Sequence, residues 1–168
     1  YKTMIKRVKT TKIGDVFEVK ISDQEKKYMQ YIVSDLTQLN SDVVRVFSKI
    51  YNIQDNPSLE EIINGDVQFY LHCVTKLGIK MGCWTLYGNT SEVGNYSNVV
   101  FRCSEDYGNP QVKVSYDWYV WHINGVFIDV GKLPSIYYKS YLGIICSPPS
   151  TLDYIRTGEY QGVYPKYK

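Results

Sequence analysis

The stretch KYMQYIVSDLTQLNSDVVRVF, Lys27 to Phe47, constrains this chain more than any other. It reads as two strands joined by a polar turn. In the first arm Met29, Tyr31 and Val33 share one face, and Tyr28, Gln30 and Ile32 the other. In the second arm Val43 and Phe47 flank Arg45 on one face, while Val44 and Val46 share the opposite one. Period-two spacing of β-branched and aromatic residues is the signature of a strand. Between the arms, Asp35, Thr37, Asn40, Ser41 and Asp42 supply turn chemistry, because short polar side chains bond nearby backbone groups. The segment before this ribbon reads as a strand that pairs with it, and much of the chain beyond Phe47 as strands that close over it.

In chain order, the basic lead-in Tyr1 to Lys12 reads as a solvated strand, since Met4, Ile5 and Val8 lie among its lysines. Gly14-Asp15 signals a turn. After it Phe17, Val19 and Ile21 face one way, with Val16, Glu18 and Lys20 the other, as in a half-buried strand. Asn56 to Gly65 reads as a short helix: Asn56 as cap, Pro57 in the first helical position, Glu60 and Glu61 near the positive end of the dipole, Gly65 as a left-handed stop. Val67 to Lys76 reads as a strand, with a tight turn at Leu77 to Ile79 and a further segment to Trp84. Val99 to Cys103 is a short core strand. Val112 to Ile123 gives one or two strands, turning at Asn124-Gly125 into Val126 to Val130. Tyr141 to Cys146 is another apolar run. Pro148 to Ile155 opens a second short helix closed by Gly158, and Tyr160 to Tyr167 is a final edge segment. Eight to ten strands with hairpin-length links make the chain mainly β: an antiparallel, strongly bent sheet or partly open barrel with two short helices, in one domain spanning residues 1–168.

Composition narrows the function classes. A net charge of +2 implies no strong pull toward nucleic acid, so such a partner is not expected. Apolar residues at 44% suffice for a core, and no apolar run approaches a membrane span. Tyrosine is the strongest bias, with seventeen against five phenylalanines and three tryptophans, which suits half-buried strands and binding surfaces alike. Cys73, Cys83, Cys103 and Cys146 form no C-x-x-C pair and lie in apolar runs. Buried free thiols in a reducing compartment are therefore expected, with disulfides in an exported protein as the second reading. The chain opens on Tyr1 rather than methionine, which leaves open an upstream segment removed before it.

Catalytic signals are weak. His72 and Cys73 are neighbours, but consecutive strand side chains point to opposite faces. No metal-ligand spacing, phosphate loop or nucleophile elbow is present. We expect no catalytic residue, no metal and no cofactor. Arg45, on an otherwise apolar face, needs a partner, for which Asp15, Asp35 or Asp42 are available. Arg45, Tyr70, His72, Trp84, Trp118 and Trp121 are the candidate binding residues. They read either as core or as a platform for a protein partner. Alternatively, Arg45, Tyr70 and His72 line a pocket beside Trp84 in a barrel that binds a small molecule or nucleic acid.

The runs KIGDVFEVKI, KYMQYIVSDLTQLNSDVVRVF and VQFYLHCVTKLGIKMGCW resemble the immunity protein 26 family, antidotes of bacterial polymorphic-toxin systems. The resemblance lies mainly in the first half, through Gly14-Asp15-Val16-Phe17 and the tyrosine-rich strand after it. In the second half it is loose: the tryptophan segment and Gly158 to Tyr160. It implies a small, mostly β, cytoplasmic protein that masks a cognate toxin by contact and has no catalytic residue of its own. Inhibitors of basic nucleases are usually acidic, and a chain at +2 departs from that, unless acidity is confined to a patch such as Glu60, Glu61 and Asp66.

Overall fold

The computed structural model describes residues 10–168. The basic lead-in therefore falls outside the described residues up to position 9. Two sheets form the body. The first holds β1 (Asp15–Lys20), β2 (Glu25–Asp35), β3 (Ser41–Phe47), β4 (Tyr51–Asn52), β5 (Val67–Cys73), β6 (Thr85–Asn89) and β11 (Ile145–Cys146), in the order β11-β5-β3-β2-β1-β6, with β4 on β2. The second holds β7 (Val100–Ser104), β8 (Trp118–His122), β9 (Ile128–Gly131) and β10 (Tyr141–Leu142), in the order β10-β7-β8-β9. The protein is mainly β, and its sheets stay open rather than closing into a barrel.

The Lys27–Phe47 ribbon is the β2-β3 pair at the middle of the first sheet. Its register sets Met29 opposite Val46 and Tyr31 opposite Val44, with Gln30 opposite Arg45. A bulge between Tyr31 and Val33 lets Val33 meet Val43, re-aiming the end of the strand. β5 extends the same alternation, with Phe69 beside Val46 and Leu71 beside Val44. Phe17, Val19, Met29, Val44, Val46, Phe69, Leu71 and Cys73 are all buried in one apolar cluster that also takes Phe101, Trp121 and Leu142 from the second sheet. The opposite side of the first sheet carries a smaller cluster of Val16, Tyr28, Phe47, Tyr51 and Ile62, the last from α1 (Leu59–Ile63).

Among the described residues three α-helices are present rather than two. α1 begins later than expected: the Ser58 hydroxyl caps Glu61 N–H, and the helix ends at Asn64 in a right-handed conformation rather than at a left-handed Gly65. The additional helix, α2 (Thr75–Lys80), replaces the expected strand end and tight turn. The Asp42 carboxylate accepts from both Thr75 N–H (3.1 Å) and Thr75 hydroxyl (2.5 Å), which starts the helix as the strand ends. Gly78 then lies flat on Trp84, since a Cβ there would overlap the indole. Alternating apolar letters could not reveal that contact. α3 (Pro148–Thr157) matches expectation, capped by Ser147 and stopped by left-handed Gly158 at φ 79°.

Sheet pairing is antiparallel except at β10 and β11. The chain runs β10 parallel to β7, passes Gly143-Ile144, and becomes β11 parallel to β5. The short run from Tyr141 to Cys146 thus stitches the second sheet to the first. The one or two strands expected over Val112 to Ile123 narrow to Trp118–His122. The tail forms no named strand; a bridge joins Val114 to Lys166, and the Tyr164 hydroxyl donates to the Arg102 carbonyl of β7.

Candidate functional site

The six candidate residues are not brought into one pocket. Trp84, Trp118, Trp121 and His72 are fixed in the interior by hydrogen bonds. Trp84 donates its indole N–H to the Thr75 carbonyl at 2.9 Å, and Trp118 to the Ser115 carbonyl at 2.8 Å. Trp121 and His72 converge instead on Asp35. The Asp35 Oδ2 lies 2.9 Å from His72 Nε2 and accepts the Trp121 indole N–H at 2.9 Å, while its Oδ1 accepts the Asn124 main-chain N–H at 3.0 Å. The His72 ring packs on Phe101 at 4.2 Å between centroids. Tyr70 is half-buried and meets the Tyr141 ring edge-on at 5.2 Å.

Arg45 is buried, but none of the expected carboxylates reaches it. Its Nε donates to Gln30 Oε1 at 2.9 Å and its Nη2 to the Glu92 carbonyl at 3.1 Å, and the guanidinium lies 5.0 Å from the Phe47 ring centre. Asp15 is engaged by Lys12 N–H and Asn89, Asp42 by Thr75, and Asp35 by the His72-Trp121-Asn124 set. The loop over Arg45 passes so close that a Cβ on Gly94 would collide with its Nη1. Gln30 carries no mark in the sequence pattern, yet it also donates to the Gly14, Thr90 and Glu92 carbonyls and so holds that loop down.

His72 has the carboxylate partner that a general base needs, but it is shut away from substrate. Both side chains of the His72–Asp35 pair are 0% exposed. The other ring nitrogen, Nδ1, is buried without a partner, so no nucleophile stands against it. His122 is exposed at the end of β8. The four cysteines are unbonded. Burial pushes the Cys73 thiol well above its ordinary range and the Cys146 thiol up to about 12, the reverse of what a reactive thiolate requires. Among the described residues no group of three His, Cys, Asp or Glu is placed to hold a metal ion, and no helix is long and apolar enough to cross a membrane.

What the Asp35 knot does create is a braced outer surface. It ties the β2-β3 turn to the β8-β9 turn, and two further bonds complete the joint: Leu36 N–H to Asn124 Oδ1 at 2.7 Å, and Thr37 hydroxyl to the Gly125 carbonyl at 2.7 Å. On the outside of this joint Leu36 is 69% exposed, Val126 78%, Phe127 47% and Ile128 52%. Phe127 leans edge-on against Tyr119 at 5.6 Å. β9, which carries Ile128, pairs only with β8 among the described residues, so its far edge is unpaired there. Single exposed apolar residues are ordinary, but four on the two joined turns and the strand beside them, next to an open edge, make a candidate contact surface. None of the four stands out in the sequence pattern. The surface exists only because Asp35 brings two turns together from positions 89 residues apart.

No protein-family model, curated protein or solved structure matches the chain.

Proposed function

We propose that the protein is a cytoplasmic immunity protein that binds and neutralises a cognate bacterial toxin by protein–protein contact. The family resemblance of the first half supplies the class. The observation that carries the reading is the exposed ridge of Leu36, Val126, Phe127 and Ile128 on a polar joint that cannot easily rearrange. An inhibitor gains affinity when its anchors are already held in place, because little side-chain or loop freedom is lost on docking. Phe127 and its neighbours would serve as the buried anchors, and the free edge of β9 would offer main-chain groups to an extended segment of the toxin. The reading assigns no catalytic step, metal or cofactor to the chain. An apolar ridge also removes the need for an acidic surface, which a net charge of +2 does not provide.

The test is co-expression with a toxin of a polymorphic-toxin system, sought in the genes adjoining this one. Growth should be rescued by the wild-type protein and lost with Phe127→Glu. A toxin equally lethal with and without the protein would refute the proposal.

A further inference from the structure

A second feature lies elsewhere on the molecule and shares no residue with the ridge. Between β7, β10, the end of α3 and the C-terminal tail is a cleft of about 580 Å3. That size falls in the range of small-molecule sites, roughly 300–1,000 Å3. Tyr141, Tyr154, Tyr160, Tyr164 and Tyr167 line it, together with Arg102.

Arg102 is anchored but not neutralised. Its carbonyl accepts from Gly143 N–H at 2.8 Å and from the Tyr164 hydroxyl at 2.6 Å, which fixes its backbone. Its Nη1 donates to the Ser140 carbonyl and, at 3.3 Å, to the Ser140 hydroxyl. The guanidinium carbon stands 5.2 Å from the Tyr167 ring centre and 6.0 Å from that of Trp118. The buried Nε has no partner, and among the described residues no carboxylate lies within ion-pair distance of the group. Lys166 and Lys168 also line the cleft, and Glu159 is the one acid among the described lining residues. Burial pushes the Tyr154, Tyr160 and Tyr164 hydroxyls above their ordinary range, so these three add no negative charge.

We infer that this cleft binds a nucleoside 5′-phosphate, the base lying against the tyrosine wall and the phosphate meeting Arg102 and Lys166. Each half of the ligand answers one half of the site. A bare phosphate would leave the aromatic wall unused, and a neutral ring would leave an arginine and a lysine without an anion. Planar rings stack on tyrosine whatever the base, and a guanidinium that no carboxylate among the described residues pairs suits phosphate oxygens. The low net charge of the whole chain is no obstacle, because one phosphate answers to local cations and not to the total.

The probes are AMP, adenosine, inorganic phosphate and a short single strand with and without a 5′-phosphate, titrated calorimetrically at low salt into the whole chain. AMP should bind saturably, with adenosine and phosphate each weaker by about tenfold or more. Arg102→Gln should weaken AMP by about tenfold, and Lys166→Glu by several-fold. The Lys166 side chain is exposed and its pairing with residues 113–115 is through the backbone, so Lys166→Glu decides the matter if Arg102→Gln fails to fold. A 5′-phosphorylated strand that outcompetes AMP identifies a nucleic-acid end as the source; one that does not leaves the free nucleotide. No saturable AMP binding at millimolar concentration, or AMP binding unchanged in folded Lys166→Glu, overturns the inference.

Discussion

Asp35 and His72 sit 2.9 Å apart with both side chains wholly withdrawn from solvent, and around them the two sheets are joined. His72 belongs to β5 in the first sheet. Trp121, on the same carboxylate oxygen, belongs to β8 in the second. A carboxylate in a dry interior is costly unless its oxygens are filled, and here both are. The joint it makes is the base of the exposed ridge.

Asp35→Asn should therefore destabilise the fold by about 3 kcal/mol at pH 7, measured by urea unfolding. Burial pushes the Asp35 carboxyl up, but the bonds from His72, Trp121 and Asn124 outweigh it and hold the group below its ordinary 3.8. A depressed carboxyl stabilises in full above its unfolded value and loses that contribution as pH falls through its folded one. The part of the gap between wild type and Asp35→Asn that comes from the Asp35 charge should thus shrink below pH 3.8. A gap that widened with acid would contradict the assignment.

Gly143 is where the chain crosses from one sheet to the other. A Cβ there would overlap Trp121 Cη2 and lie 2.6 Å from the Arg102 carbonyl oxygen. Neither can move freely, because the indole is pinned to Asp35 and the carbonyl to Gly143 N–H and Tyr164. Gly143→Ala should cost about 2 kcal/mol, lowering the melting temperature by roughly 4–8 °C in a chain of this size. An unchanged melt would show that the crossing is looser than described.

Cysteine reactivity follows from burial. Cys73, Cys103 and Cys146 are buried with thiols raised by desolvation, whereas Cys83 is half-exposed. Native protein treated with a thiol reagent should show one fast group, lost in Cys83→Ser, with the other three reacting only on unfolding. Two or more fast thiols in the native state would contradict this packing.

Sequence periodicity carries the strand text well, because alternation reports which face meets apolar neighbours. The Phe17 and Val19 face, the shared face of Met29 and Tyr31, that of Val44 and Val46, and the Gly158 stop of α3 are all visible in it. The partners of polar groups are not. Arg45 calls for an aspartate in the sequence, and in the fold it finds an amide and a carbonyl from residues 15 and 47 positions away. Trp84, Trp118 and Trp121 are candidates for exposure because an indole can pack or bind; what settles each is an oxygen that the fold places at its N–H, for Trp121 one 86 residues away. The contact ridge is illegible for the same reason. Leu36 looks like an ordinary turn residue and Phe127 like an ordinary strand residue until Asp35 joins the two turns beside them.

The affinity of the purified cognate toxin for the wild-type protein and for Phe127→Glu decides whether the braced ridge is the inhibitory surface. A charge at a half-exposed tip leaves the core untouched, so the two proteins should melt alike. Tight binding is expected of the wild type, with a loss of about a hundredfold or more in the variant. Equal affinity for both, or no affinity for either, would contradict the proposed function.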